Sequence, residues 1–129
     1  MQNSQNQCGC GAAPKYVFPC SGAADVGALA DQAARQMTRD GTGRMYCLAG
    51  VGGRVDAIMA NVQMASGVLV IDGCPQECAR KTMEMAGFSE FQHLRLWEMG
   101  YKKGESPVTA ETIRAVADRG ASLLTTATA

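Results

Sequence analysis

The segment Gly67-Val-Leu-Val-Ile71, followed directly by Asp72-Gly-Cys74-Pro75, decides the fold. Its apolar, largely β-branched residues run on without polar alternation, which predicts a strand buried on both faces. Pro75 stands where the first turn of a helix would begin, because proline needs no backbone N–H there. A helix is therefore predicted from Pro75 to a stop at Gly87. A doubly buried strand followed by a helix is typical of an α/β protein with a parallel sheet.

The same strand-then-helix unit recurs on either side of this segment. Strands are predicted over residues 15–19, 44–49 and 91–97, and each is followed by apolar residues at helical spacing. The chain of 129 residues is long enough for one hydrophobic core. The alternation predicts a single α/β domain over residues 14–129, with a mostly parallel, Rossmann-like, four-stranded sheet and helices on both faces. Residues 1–13, polar and glycine-rich, are predicted to form a flexible N-terminal tail.

Composition and charge narrow the function classes. Twelve basic and twelve acidic residues give zero formal net charge, which disfavours a nucleic-acid-binding protein. No apolar run approaches the roughly 20 residues that span a bilayer, and residues 1–7 are polar rather than signal-like. We therefore expect a cytoplasmic protein with no membrane partner. Because thiols stay reduced in the cytoplasm, the six cysteines are expected to serve metal binding or redox chemistry rather than disulfides.

The spacing of the cysteines indicates one shared site. Cys20, Cys47 and Cys74 are each separated by 27 residues, and each lies late in a predicted strand or just past one. The carboxyl ends of parallel strands share one edge of the sheet, where ligands bind. Cys78 follows Cys74 by four residues, about one helical turn, so the two can share a helix face. The four cysteines are therefore expected to converge at the carboxyl edge of the sheet.

Four thiolates at one edge suit a tetrahedral metal site, and a Cys-x₃-Cys pair is within the usual ligand spacing for zinc. The predicted metal ligands are Cys20, Cys47, Cys74 and Cys78. Zinc would then have a structural, sensing or carrying role, and Arg80 and Lys81 would offset part of the negative charge of the site. The alternative is that buried free cysteines act as small apolar side chains. Cys8 and Cys10 lie in the tail and are not expected to bind this metal.

Two other chemistries on the same cysteines stay open. In a thiol redox enzyme or sulfur carrier, Cys74 would be the nucleophile, activated at a helix N-terminus, and Cys78 its resolving partner. The four cysteines also suit an iron–sulfur cluster, which would colour the protein brown. The sequence therefore leaves open whether the chain is an enzyme, and it names neither a substrate nor a protein partner.

Three further features near the predicted edge have two interpretations each. Asp72 is a candidate general base or metal neighbour, or else a carboxylate that orients the turn at Gly73. The glycine-rich segment Gly50-Val-Gly-Gly53 is a candidate anion-binding nest, although a tight strand-to-helix turn is favoured. His93, the single histidine, lies in a predicted strand and is interpreted as a packing or surface residue. With no Ser-His-Asp set, a hydrolase is disfavoured.

Three sequence blocks together resemble the DGC-domain family. They are Cys20-Ser-Gly-Ala-Ala-Asp25, Cys47-Leu-Ala-Gly-Val-Gly52, and Ile71-Asp-Gly-Cys-Pro75 with Cys78. The family takes its name from the Asp-Gly-Cys tripeptide and is described as zinc-binding, and Met99-Gly-Tyr-Lys-Lys103 is similar to its closing block. The resemblance runs from about residue 16 to residue 103. It implies that the four predicted ligands are the family's cysteines, and it names a site rather than a reaction.

Overall fold

Four strands and six helical segments alternate along residues 13–127, the part of the chain that the computed structural model describes. The strands are β1 (Lys15–Pro19), β2 (Arg44–Met45), β3 (Gly67–Asp72) and β4 (Gln92–Arg95). The helices are α1 (Asp25–Asp40), α2 (Leu48–Gly52), α3 (Asp56–Gln63), α4 (Cys78–Met85) and α5 (Ala110–Ala127), and Leu96–Met99 form a 3₁₀ helix after β4. The predicted flexible tail, with Cys8 and Cys10, lies outside the described residues apart from Ala13.

The sheet has the strand order β2-β1-β3-β4, and every neighbouring pair is parallel. β3 lies in the interior, paired with β1 from Gly67 to Ile71 and with β4 from Leu69 to Asp72. Every residue of β3 after Gly67 is buried. The prediction of a strand buried on both faces is therefore confirmed, and this strand organises the rest of the sheet.

Helices cover both faces of the sheet, so the predicted single α/β domain is confirmed. On one face, α1 and α5 pack on side chains that include Val17, Leu69 and Ile71. On the other face, α2, α3 and α4 enclose Phe18 and Val70. The alternation of β-strand side chains between the two faces thus divides the core into two apolar layers. No helix within residues 13–127 has both the length and the apolar character that crossing a membrane requires.

Three predicted element boundaries are wrong. β2 is shorter than predicted because α2 occupies the place of the predicted glycine turn. The Cys47 Sγ caps this helix by accepting a hydrogen bond from the Gly50 N–H at 3.3 Å. Gly50 is buried, and a Cβ there would come within 2.1 Å of the Ile58 side chain. α4 begins at Cys78, three residues later than predicted, and β4 ends at Arg95 where the 3₁₀ helix takes over.

Candidate metal centre

The carboxyl edge of the sheet carries the segments that contain the cysteines. Cys20 follows β1 directly, and Cys47 and Cys74 each lie two residues past β2 and β3. The chain passes from β1 to β2 on one side, then crosses back to β3 on the other side of β1. In doubly wound sheets of this order, the crevice at that switch point is where ligands usually bind. Cys20 and Cys74 stand at the two strand ends that form this crevice.

Cys20 is held tightly at the crevice. Its N–H donates to the Ile71 carbonyl at 2.9 Å, so the hydrogen bonding between β1 and β3 continues one residue past β1. Burial of the half-buried thiol raises the pKa of Cys20 above its ordinary value. Hydrogen bonds from the backbone N–H groups of Gly22 and Gly73 oppose that effect, and negative charge on Asp72 and on Cys74 adds to it. The Cys20 sulfur therefore lies beside the turn that follows β3.

Cys47 shares a cavity with Cys20. Its side chain is exposed, and its Sγ accepts the hydrogen bond that caps α2. The cavity has a volume of about 490 Å³ and opens at the carboxyl edge between β1, β2 and α2. Its lining is Pro19, Cys20, Ser21, Met45, Tyr46, Cys47, Leu48, Ala49, Gly52 and Thr82. The topology thus brings together two thiols that lie 27 residues apart in sequence.

Cys74 and Cys78 are not related as residues on one helix face. Cys74 lies in the turn before α4, where its carbonyl accepts the Glu77 N–H at 3.1 Å. Glu77 has φ 55°, in the left-handed region, and it separates the turn from the helix, which begins at the exposed Cys78. The predicted helix start at Pro75 is therefore wrong, and Cys74 lies outside the helix whose N-terminus was expected to activate its thiol. Such an effect would fall on Cys78 instead.

The donor set fits zinc in chemistry but is not assembled as a ligand shell. Thiolates are among the ligands that zinc prefers, and all four predicted residues have free thiols. Within residues 13–127, however, no three His, Cys, Asp or Glu side chains are grouped so that they could hold a metal ion. The structure therefore brings Cys20 into proximity with Cys47 on one side and Cys74 on the other. The four-cysteine site itself stays a prediction.

Asp72 is buried at the end of β3. It is 1% exposed, and its carboxylate accepts hydrogen bonds from the N–H groups of Ala79 at 2.8 Å and Arg80 at 3.0 Å. These are N–H groups of the first turn of α4, which lack partners within the helix. Glu77, the residue at the N-cap position, makes no side-chain cap. A carboxylate at the end of β3 therefore caps α4 from outside the helix.

His93 makes a buried contact with Asp72 that the sequence analysis did not predict. Its Nε2 lies 2.8 Å from an Asp72 carboxylate oxygen, and its side chain is only 7% exposed. Its Nδ1 is buried and has no hydrogen-bond partner among the described residues. The register places His93 opposite Val70, on the same sheet face as Asp72. Alternation along β4 alone gave no signal for this contact, because it depends on how β4 aligns with β3.

Arg80 does not supply the expected positive charge to the cysteines. Its guanidinium pairs with the carboxylates of Glu77 and Glu84, the latter at 2.7 Å. The hydrogen bond from Arg80 holds the pKa of Glu77 below its ordinary value. The positive charge of Arg80 is therefore already compensated by carboxylates at and within α4. Lys81, the other basic residue proposed for this role, is exposed.

Comparison with known proteins identifies the family. The DGC domain model matches residues 16–119, which extends the predicted resemblance into α5. The chain belongs to the DGC domain family. It is 34% identical over 87 residues to the "Anaerobic and virulence modulator AnvM" of Pseudomonas aeruginosa, covering 67% of this chain and 66% of that protein's length. No solved structure matches the chain.

In this DGC domain, each residue of the Asp-Gly-Cys tripeptide has a separate place in the structure. Asp72 caps α4 and contacts His93. Gly73 permits close backbone approach, because a Cβ there would lie 2.7 Å from the backbone carbonyl of Val26 in α1. Cys74 lies at the carboxyl edge. The first two residues thus fix the turn that presents the third.

Proposed function

We propose that the chain is a metal-binding module in which thiolates at the carboxyl edge of the sheet bind zinc. The proposed ligands are Cys20, Cys47, Cys74 and Cys78. The observation that carries the proposal is the position of Cys20 at the β1–β3 switch point, beside the turn of Cys74 and in the same cavity as Cys47. Strand-end positions at such a crevice are where an α/β sheet binds its ligand.

The local hydrogen bonding supports thiolate ligands. Backbone N–H groups of Gly22 and Gly73 donate to the Cys20 sulfur, and that of Gly50 donates to the Cys47 sulfur. Donors of this kind stabilise a metal-bound thiolate and reduce the net negative charge of the site. Because burial raises the pKa of Cys20, zinc binding has to displace a proton there, so we expect binding to weaken as the pH falls.

The arrangement requires side-chain movement for a complete ligand set. Cys47 and Cys78 are the exposed members, and exposed side chains change rotamer on the picosecond-to-nanosecond timescale. Cys20 and Cys74, which are half-buried, would provide the fixed half of the site. Zinc has no d-electron preference for geometry and accepts ligands that close around it.

A regulatory role for the bound metal is supported by the name of the relative. AnvM is described as a modulator, and the chain matches it over 66% of its length. A metal held by protein thiolates responds to pH and to thiol oxidation, because the ligands must be deprotonated and reduced. We therefore propose that zinc here serves sensing or structure rather than catalysis.

Metal analysis of protein purified without oxygen tests the proposal. We expect a colourless protein that contains one zinc ion per chain by elemental analysis. Replacing any one of the four proposed ligands by serine should cause loss of that zinc. The matched control is the Cys8→Ser/Cys10→Ser double variant, which makes the same chemical change in the predicted tail and should keep the metal. Zinc loading should also protect the four thiols from alkylation.

Three outcomes would contradict the zinc assignment. A brown protein containing iron would show an iron–sulfur cluster on these cysteines. A metal-free protein that fails to take up zinc, with all four thiols alkylated at unchanged rates, would favour thiol chemistry. Loss of zinc in the tail variant would show that Cys8 or Cys10 is a ligand and that the proposed set is wrong.

A further inference from the structure

A second cavity lies beside Cys74, separate from the one shared by Cys20 and Cys47. Its volume is about 420 Å³, within the range of small-molecule sites. It is formed by the turn after β3, the 3₁₀ helix and the segment that follows it. The lining residues are Gly73, Cys74, Pro75, Gln76, Trp97, Tyr101, Lys102 and Lys103. The zinc proposal uses only one of these residues.

The charge of this cavity is positive although the chain as a whole is neutral. Lys102 and Lys103 both line it, and no carboxylate does. Within residues 13–127, neither lysine forms an ion pair. Adjacent cations without partners attract an anion, and the attraction is stronger in a concave site than on an open surface.

The segment that carries these lysines is held in place rather than loose. This lysine loop, residues 102–106, is bound by the Asp25 carboxylate, which accepts the Gly104 and Ser106 N–H groups, both at 2.9 Å. Ser106 is 2% exposed, and its hydroxyl bridges the N–H and the carbonyl of Lys102, both at 2.8 Å. The backbone beneath both cations is therefore preorganised, which lowers the entropic cost of binding.

Two aromatic rings complete the lining. Trp97 and Tyr101 are half-buried, and Tyr101 packs against the core on the α1 and α5 side. Among residues 13–127, neither ring has an aromatic partner, whereas Tyr16 and Tyr46 stack on each other. Rings that line a cavity and have no stacking partner offer flat apolar surface to a planar ligand.

We propose that this cavity binds a small aromatic anion. The ring of the ligand contacts Trp97 and Tyr101, and its carboxylate or phosphate group pairs with Lys102 and Lys103. Lysine recognises either group as a point charge, so the shared chemistry is a planar ring that carries one compact anionic group. The ligand would lie against Cys74. The two proposed sites share Cys74 alone, and the residues that contact the ring and the anionic group of the ligand are not proposed zinc ligands.

Trp97 is the only tryptophan in the chain, so its fluorescence reports occupancy of the cavity directly. The full chain is titrated with phenyl phosphate and with benzoate, and separately with inorganic phosphate and with benzyl alcohol. We expect saturable changes in fluorescence with both aromatic anions, in the millimolar range typical of such small ligands. The ring-free anion and the uncharged ring should each bind at least about threefold more weakly.

Lysine variants decide whether the cavity is responsible. Lys102→Gln and Lys103→Gln should each weaken phenyl phosphate binding by about threefold to tenfold, since each removes a charged contact. Lys81→Gln is the matched control, because Lys81 is exposed on α4 and does not line the cavity.

Equal affinities in all three variants would overturn the proposal. So would inorganic phosphate binding as tightly as phenyl phosphate, or no saturation with either aromatic anion. Stronger binding of benzoate than of phenyl phosphate, or the reverse, would identify the anionic group that the site prefers.

Discussion

Replacing Asp72 by alanine should lower the free energy of unfolding by about 2–4 kcal/mol. The carboxylate accepts three hydrogen bonds at 2.8–3.0 Å, from two N–H groups of α4 and from His93. Loss of a helix cap costs about 1 kcal/mol. Leaving the buried His93 ring without its partner adds about 1–3 kcal/mol. The stability change should be measured by urea unfolding followed by circular dichroism.

Conservative and double variants separate the two contributions. Asp72→Asn keeps one carbonyl oxygen for capping and keeps a polar group in hydrogen-bonding reach of the His93 ring, so it should cost less than Asp72→Ala. In a double-mutant cycle, Asp72→Ala and His93→Ala should show a coupling energy of about 0.5–3 kcal/mol. A decrease in the free energy of unfolding of less than about 1 kcal/mol in Asp72→Ala, or no coupling with His93, would refute the reasoning. Removing a buried acceptor of three hydrogen bonds leaves its donors unsatisfied, which should cost more than that.

Two further predictions concern the contacts between α1 and the carboxyl edge. Gly73→Ala should destabilise the fold by about 3 kcal/mol, because its Cβ would meet backbone atoms 2.7 Å away, whereas Gly22→Ala, with no atom within 4 Å, should change the urea midpoint little. Equal midpoints would contradict the close-approach argument. Hydrogen bonds from the N–H groups of the lysine loop, first that of Gly104, lower the pKa of Asp25 below 3.8. The interaction stabilises the fold at pH values above the pKa that Asp25 has in the unfolded chain. This stability is lost as the pH falls through the lower pKa that Asp25 has in the folded protein. Wild-type protein should therefore lose more stability than Asp25→Asn between about pH 5 and about pH 2, as measured by urea unfolding across that range, and parallel pH profiles would refute the assignment.

The parts of the fold that follow from local pattern were predictable. The apolar run of β3 is buried on both faces, and the strand–helix alternation gives the four parallel strands. Because parallel strands end at one edge, the positions of Cys20, Cys47 and Cys74 relative to the strands were also predictable. Local capping also occurs at the start of α5, where the Thr109 hydroxyl accepts the Thr112 N–H at 3.2 Å.

The parts that depend on distant residues were not predictable. Pro75 is a valid local signal for a helix start, yet α4 begins at Cys78, where the carboxylate of Asp72 caps it from the end of β3. The contact between Asp72 and His93 joins residues 21 positions apart and requires the register of β4 against β3. Side-chain directions at the edge follow from such contacts, so the sequence could place the cysteines at this edge, whereas the grouped ligand set that it also predicted is not assembled within residues 13–127 and stays a prediction.

The close backbone contact at Gly73 connects the turn of Cys74 to α1. Gly73 has no side chain, so its backbone packs directly against the backbone of Val26 in α1. Close-packed backbone atoms transmit a displacement rather than absorb it. Asp25, the first residue of that helix, in turn holds the lysine loop by two backbone hydrogen bonds. We therefore expect a displacement of Cys74 to move α1 and, through Asp25, the backbone that carries Lys102 and Lys103.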